Sequence, residues 1–164
     1  MSSSDKNLSA FNGDSLPDAS GMRLGIVVSE WNTEITEALF NGAKDVLIKS
    51  GCKEENIFRL NVPGSFELPL GAQWLLEGRA PDAVICIGCV VQGETRHFDF
   101  ICQAVSEGIM QLGLDYNTPV IFGVLTPQNM QQAMDRAGGK HGNKGVEAAV
   151  TAIKMIQLKS RNTN

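Results

Sequence analysis

The side chains best suited to chemistry fall into four short clusters. In Val90-Val91-Gln92-Gly93-Glu94-Thr95-Arg96-His97-Phe98-Asp99, Gly93 lets the backbone approach a ligand, and the N–H groups around Glu94 to Arg96 at a helix start make an anion site. His97 lies in that first turn, where an imidazole can act as a proton acceptor. Its bland use is as a capping or surface histidine. In Ser29-Glu30-Trp31-Asn32-Thr33 the large aromatic either stacks on a planar heterocycle or packs under a loop. In Val62-Pro63-Gly64-Ser65-Phe66-Glu67 the Glu67 carboxylate and free N–H groups suit a polyhydroxyl or amide-bearing ligand, or Glu67 only complements a helix dipole. A later basic group sets Arg136, Lys140, His141 and Lys144 among four glycines. There Arg136 can clamp a pair of phosphate oxygens, and the lysines fit equally a solvated loop. Spacing alone thus implies a phosphorylated small molecule, an aromatic platform and a histidine base, without naming a reaction.

These clusters stand where strand-like runs end. Leu24 to Val28 is a short apolar run, followed by a helical stripe from Thr33 to Lys49. Asn56 to Val62 leads through Pro63-Gly64-Ser65 into a helix on which Leu70 and Trp74, four apart, read as one core-facing stripe. Ala83 to Val91 is a third strand, followed after Gly93 by a helix with Phe98, Ile101, Cys102, Val105, Ile109 and Leu112 on one face. Pro119 to Leu125 is a fourth strand, with Phe122 reading as core. A short helix from Pro127 to Arg136, the glycine-rich stretch and a helix from Val146 to Leu158 complete the chain. Alternating strands and helices, with strands apolar on both faces, predict a three-layer α/β/α doubly wound fold with a four-stranded parallel sheet of order 2-1-3-4. Ligands of such sheets bind at the carboxyl ends of the strands. Residues 22–160 read as one domain, 1–21 as an arm, disordered alone or ordered by adding to a neighbour's sheet, and 161–164 as a tail.

Composition narrows the classes. The chain has 164 residues, 43% of them hydrophobic, enough for one domain with a core. Its formal charge of −4 gives no footprint for nucleic acid. No apolar run approaches the ~20 residues that span a bilayer, and the polar start has no hydrophobic signal core, so a cytoplasmic protein without a membrane partner is expected. Cys86 and Cys89 form a CxxC inside an apolar strand, where residues three apart face opposite sides. Buried reduced thiols and no metal site are therefore expected.

Taken together, Trp31-Asn32, Val62-Pro63-Gly64-Ser65-Phe66-Glu67-Leu68-Pro69, Gly93-Glu94-Thr95-Arg96-His97-Phe98-Asp99 and Arg136-Ala137-Gly138-Gly139-Lys140-His141-Gly142-Asn143-Lys144-Gly145 closely resemble the 6,7-dimethyl-8-ribityllumazine synthase family, in order and spacing, from about Arg23 to Leu158. The resemblance implies a flavodoxin-like fold and a transferase of riboflavin biosynthesis. Such an enzyme condenses 5-amino-6-(ribitylamino)uracil with 3,4-dihydroxy-2-butanone 4-phosphate and needs no metal or organic cofactor. It implies that Trp31 stacks on the pyrimidine with Asn32 beside it. Gly64, Ser65, Phe66 and Glu67 would hold the ribityl chain, and Val90 and Val91 the pyrimidine edge. Glu94, Thr95 and Arg136 would hold phosphate, and His97 would transfer protons. Phe122, Arg136 and Lys144 would come from an adjacent subunit of a homopentamer, with twelve pentamers closing an icosahedral shell of sixty subunits and riboflavin synthase among its associates. Gln92 departs from the basic residue many members carry, and Arg96 from a small hydroxyl residue. Two readings of other kinds stand beside the enzyme. A non-catalytic flavin or lumazine carrier would need neither His97 nor Arg136 with the anion turn. A phosphoacceptor domain would need an acceptor Asp after the third strand, where Val91-Gln92-Gly93 stands.

Overall fold

A computed structural model describes residues 16–163. Four strands, β1 (Leu24–Ser29), β2 (Ile57–Val62), β3 (Ala83–Cys89) and β4 (Val120–Leu125), pair in parallel in the order β2-β1-β3-β4. This is the predicted doubly wound sheet. Strand register explains the two cores. Leu24, Ile26 and Val28 of β1 and Ala83, Ile85, Ile87 and Cys89 of β3 point to one face, while Val27, Val84 and Cys86 point to the other. The first face is covered by α1 (Thr33–Lys49) and α5 (Lys144–Asn162), the second by α2 (Leu68–Arg79) and α3 (His97–Asp115). Cys86 and Cys89 therefore sit in different cores, unpaired, as their spacing predicts. Burial pushes their thiols up to about 12 and about 11.

Glycines let helices approach closely. A Cβ at Gly145, in the first turn of α5, would stand 1.8 Å from the Leu39 carbonyl oxygen of α1, so only hydrogen fits at this crossing. Asn143 locks the same corner: its Oδ1 accepts from the Gly145 and Val146 amides at 2.8 and 3.2 Å, and its Nδ2 donates to Ala38 O at 2.9 Å.

Several boundaries differ from the sequence reading. β3 stops at Cys89 rather than Val91: its pairing with β1 ends at Val28–Ile87 and its pairing with β4 at Cys89–Leu125. α3 starts at His97, not in the turn from Glu94. α4 is shorter than expected, at Met130–Asp135, with Asn129 as its cap. α5 runs on to Asn162, so Arg161 and Asn162 of the expected tail are helical. The glycine-rich stretch is no plain loop. It forms a small antiparallel hairpin, β5 (Ala137–Gly139) and β6 (Gly142–Asn143), with Gly138 and Gly142 at φ of 115° and 83° where a side chain would be strained.

Trp74 is the clearest correction, since Leu70 and Trp74 face outward, with Trp74 56% exposed. Their spacing correctly put them on one face, but α2 buries the other, through Leu68, Ala72, Leu75 and Leu76. Of the expected arm, residues 1–15 lie outside the described residues. Ala19 is buried on the chain's own domain and donates its amide to Ser50 O at 2.8 Å. Among the described residues no helix is long and apolar enough to cross a membrane.

Candidate active site

A cleft of about 500 Å³ opens at the carboxyl ends of β1, β2 and β3. It is lined by Trp31, Asn32, Gly64, Ser65, Phe66, Glu67, Val90, Val91 and His97, with Cys89 and Ile101. Nine residues singled out from three separated sequence clusters therefore meet in one place, at the crevice where β1 hands over to β3.

Each wall has a local cause. Pro63 ends β2, and a 3₁₀ turn at Ser65–Glu67 feeds α2, so Glu67 stands at the cleft beside Gly64. A Cβ on Gly64 would lie 3.0 Å from Glu67 Oε2 and 3.4 Å from the Trp31 ring, so the missing side chain lets carboxylate and indole flank one backbone segment. Trp31 is 72% exposed and Phe66 is exposed as well, which leaves aromatic faces at the mouth. Trp31 is not packed beneath a loop. Ser65 is buried and its hydroxyl is unpartnered among the described residues, as is that of Ser29 at the end of β1. The Ser65 hydroxyl sits over Gly88, where a Cβ would approach it to 2.6 Å.

The back wall is backbone. The Val90 amide donates to Leu125 O and the Gln92 amide to Pro127 O, both at 2.9 Å. In an extended chain, alternate peptides point to opposite edges. With residues 90 and 92 turned toward β4, the N–H and C=O of Val91 turn toward β1 and the cleft. Cys89 O, on that same edge, accepts from Asn32 Nδ2 at 2.9 Å. The exposed segment Gly93 to Arg96 leads to α3, where the His97 amide donates to Thr95 Oγ1 at 3.4 Å and His97 lines the cleft. Glu94 and Thr95 lie beside the cleft rather than in its lining. Arg96 points away into solvent, its guanidinium 5.4 Å from the Phe100 ring centre and 3.9 Å from Asp99.

Phe122, Arg136 and Lys144 are not brought to this cleft within the chain. Phe122 lines a separate groove of about 700 Å³ between α3 and α5 at the edge of β4. Arg136 donates to both Glu147 oxygens, at 2.9 and 3.2 Å, and to His141 O at 2.7 Å. Lys144 donates to the same carboxylate at 3.3 Å. Two cations on one carboxylate leave this hairpin with surplus positive charge and a guanidinium of fixed orientation. Glu147 and Asn143 were missed in the sequence. Their signals were the three-residue spacing of Lys144 and Glu147 on a helix and an Asn standing just before it.

Comparison with known proteins gives the family. Residues 21–160 match the family model for 6,7-dimethyl-8-ribityllumazine synthase. A Cytophaga hutchinsonii protein of that name is 64% identical over 95% of this chain and 98% of its own length. Proteins of the same name from Parabacteroides distasonis and Flavobacterium johnsoniae are 56% and 53% identical, covering 96% and 98% of this chain and 99% and 85% of their own lengths. The chain belongs to the 6,7-dimethyl-8-ribityllumazine synthase family.

Proposed function

We propose that this chain condenses 5-amino-6-(ribitylamino)uracil with 3,4-dihydroxy-2-butanone 4-phosphate to 6,7-dimethyl-8-ribityllumazine, releasing phosphate and two waters. The observation that carries the reading is the single cleft in which an exposed indole, a carboxylate, a free peptide edge and an imidazole converge. Trp31 offers the stacking face for the pyrimidine, and the Val91 peptide complements its donor and acceptor edge. Glu67, with the Gly64–Phe66 backbone, accepts from ribityl hydroxyls, since an ionised carboxylate is an acceptor for several O–H donors.

The chemistry is a sequence of proton transfers. The aryl amine attacks the ketone and water leaves to give an imine. Loss of a proton next to the imine drives out phosphate, and ring closure releases the second water. His97, the one histidine lining the cleft, carries those protons in this reading. The turn at Glu94 and Thr95 receives the phosphate.

Arg136 completes that phosphate site from an adjacent subunit, with Phe122 and Lys144. Support for this comes from the guanidinium, which is held by Glu147 and does not line the cleft of its own chain, and from apolar side chains exposed on α2 and α3, including Leu70, Trp74, Phe100 and Met110, which suit burial between copies. The assembly is a homopentamer, extended to a shell of sixty. Riboflavin synthase is the associate that would take up the product. Four unpaired cysteines fit a cytoplasmic setting. Mixing the purified protein with both substrates and following the lumazine chromophore tests the reading. A rate above the uncatalysed one is expected, and a carrier would give none.

A further inference from the structure

Asn32 is the only residue at the cleft that combines a left-handed backbone with a bond across the crevice. Its φ and ψ are 58° and 48°, a region that favours glycine and, among side chains, asparagine. It stands at the N-cap of α1, yet its side chain caps nothing there. Instead, Nδ2 reaches past the last β1–β3 pair to Cys89 O at 2.9 Å. The two strands have no ladder bond beyond that pair, so this amide continues the pairing by one step after the strands part. On one side it is covalently joined to Trp31. On the other it holds the carbonyl two residues before Val91, on the same edge of the chain as the Val91 peptide.

We propose that Asn32 is a positioning residue that sets the pyrimidine gap, fixing the Trp31 indole against the Val91 peptide edge by its Cys89 tether, rather than acting through contact with substrate. The inference rests on reading the cleft as the pyrimidine side of the reaction. Its consequence is selective. Losing the tether lets the 89–92 segment drift from the indole, so the pyrimidine substrate is held less well while the phosphate turn and the neighbour's Arg136 are untouched. The expected effect is a rise in KM of roughly tenfold for that substrate alone, about 1.4 kcal/mol and so within the range of one net hydrogen bond.

Two variants separate the parts. Asn32→Gly keeps the left-handed backbone and deletes the amide. Asn32→Asp keeps size and an acceptor oxygen but replaces the donor with a carboxylate that repels the Cys89 carbonyl. Both are assayed as the assembled enzyme for KM of each substrate, and hydrogen exchange of the Val90 and Gln92 amides is followed without ligand. Both variants should raise the pyrimidine KM about tenfold, leave the butanone phosphate KM within about twofold, and speed exchange of those two amides. Raised KM with unchanged exchange would overturn the proposal in favour of direct contact with substrate, and so would an Asn32→Asp enzyme equal to the parent. Equal loss for both substrates would overturn it as a general folding effect. The reading of the cleft fails separately, if Trp31→Ala leaves pyrimidine binding intact.

Discussion

The cleft at Trp31, Glu67 and His97 and the hairpin at Arg136 and Lys144 both carry polar groups, but in opposite ways. The cleft leaves its groups unengaged: an exposed indole, a carboxylate beside a glycine, and a peptide edge that no strand among the described residues takes up. The hairpin engages its own groups, with Arg136 and Lys144 both on Glu147. An unengaged surface selects by shape and stacking, whereas a pre-tied cation cluster presents charge in a fixed place at little ordering cost. In the proposed reading, the difference means that recognition of the ring and completion of the phosphate site are divided between the cleft and a hairpin that does not line it.

The largest expected effect attacks the hairpin's support. Gly145→Ala would drive a methyl into the Leu39 carbonyl and should destabilise the protein by about 3 kcal/mol, the upper range for overpacking, seen as a lowered denaturation midpoint. Loss of stability well below 1 kcal/mol would show that the α1–α5 crossing is soft.

Two substitutions then sharpen the division between the regions. Arg136→Ala should raise KM for the butanone phosphate by roughly ten- to a hundredfold with little change for the pyrimidine, and equal effects on both would erase the division. His97→Ala should lower kcat by roughly ten- to a hundredfold, less than a full acid–base loss because proximity of the two substrates still operates. An unaltered kcat across pH would remove His97 from the chemistry.

Trp31→Ala should weaken the pyrimidine by about 1 to 3 kcal/mol, taking base–aromatic stacking as the guide, while Trp31→Phe keeps most activity and loses most ligand-induced quenching. Because Trp74 is also exposed, this measurement belongs in a Trp74→Phe background. The smallest effect is at the thiols. Cys86 and Cys89, pushed up to about 12 and about 11 by burial, should resist alkylation at pH 8 in the native protein and react on unfolding. Their raised values favour the neutral form in the fold. That contribution to stability is full below the ordinary thiol range near pH 9 and is lost as pH rises toward 11 and 12, so alkaline titration should lower the denaturation midpoint.

Much of this was legible in the sequence, for reasons that also mark where legibility stops. Runs such as Ala83 to Cys89, apolar on both faces, announce a central parallel strand, and short strand-to-helix turns place their ends together, so Trp31, Glu67 and His97 could be grouped before any coordinates. Periodicity gives a shared face but not its direction, which is why Leu70 and Trp74 were turned the wrong way. The β5–β6 hairpin has too few apolar residues to show a period. The pairing of Arg136 with Glu147 depends on how that hairpin folds back on α5, and the Asn32 bond to Cys89 spans 57 positions. Neither is visible in local spacing.

The central claim of the proposed reading is that one site joins the ring-binding cleft and phosphate turn of one copy of the chain to the Arg136 hairpin of another. Unfolding Trp31→Ala and Arg136→Ala proteins together at equal amounts and reassembling them tests it directly. With random mixing, half the clefts and half the adjacent hairpins are intact, so about a quarter of the sites should regain parental activity. If both halves came from a single chain, every site would carry one lesion, and the mixture would show no more than the average of the two variants measured alone.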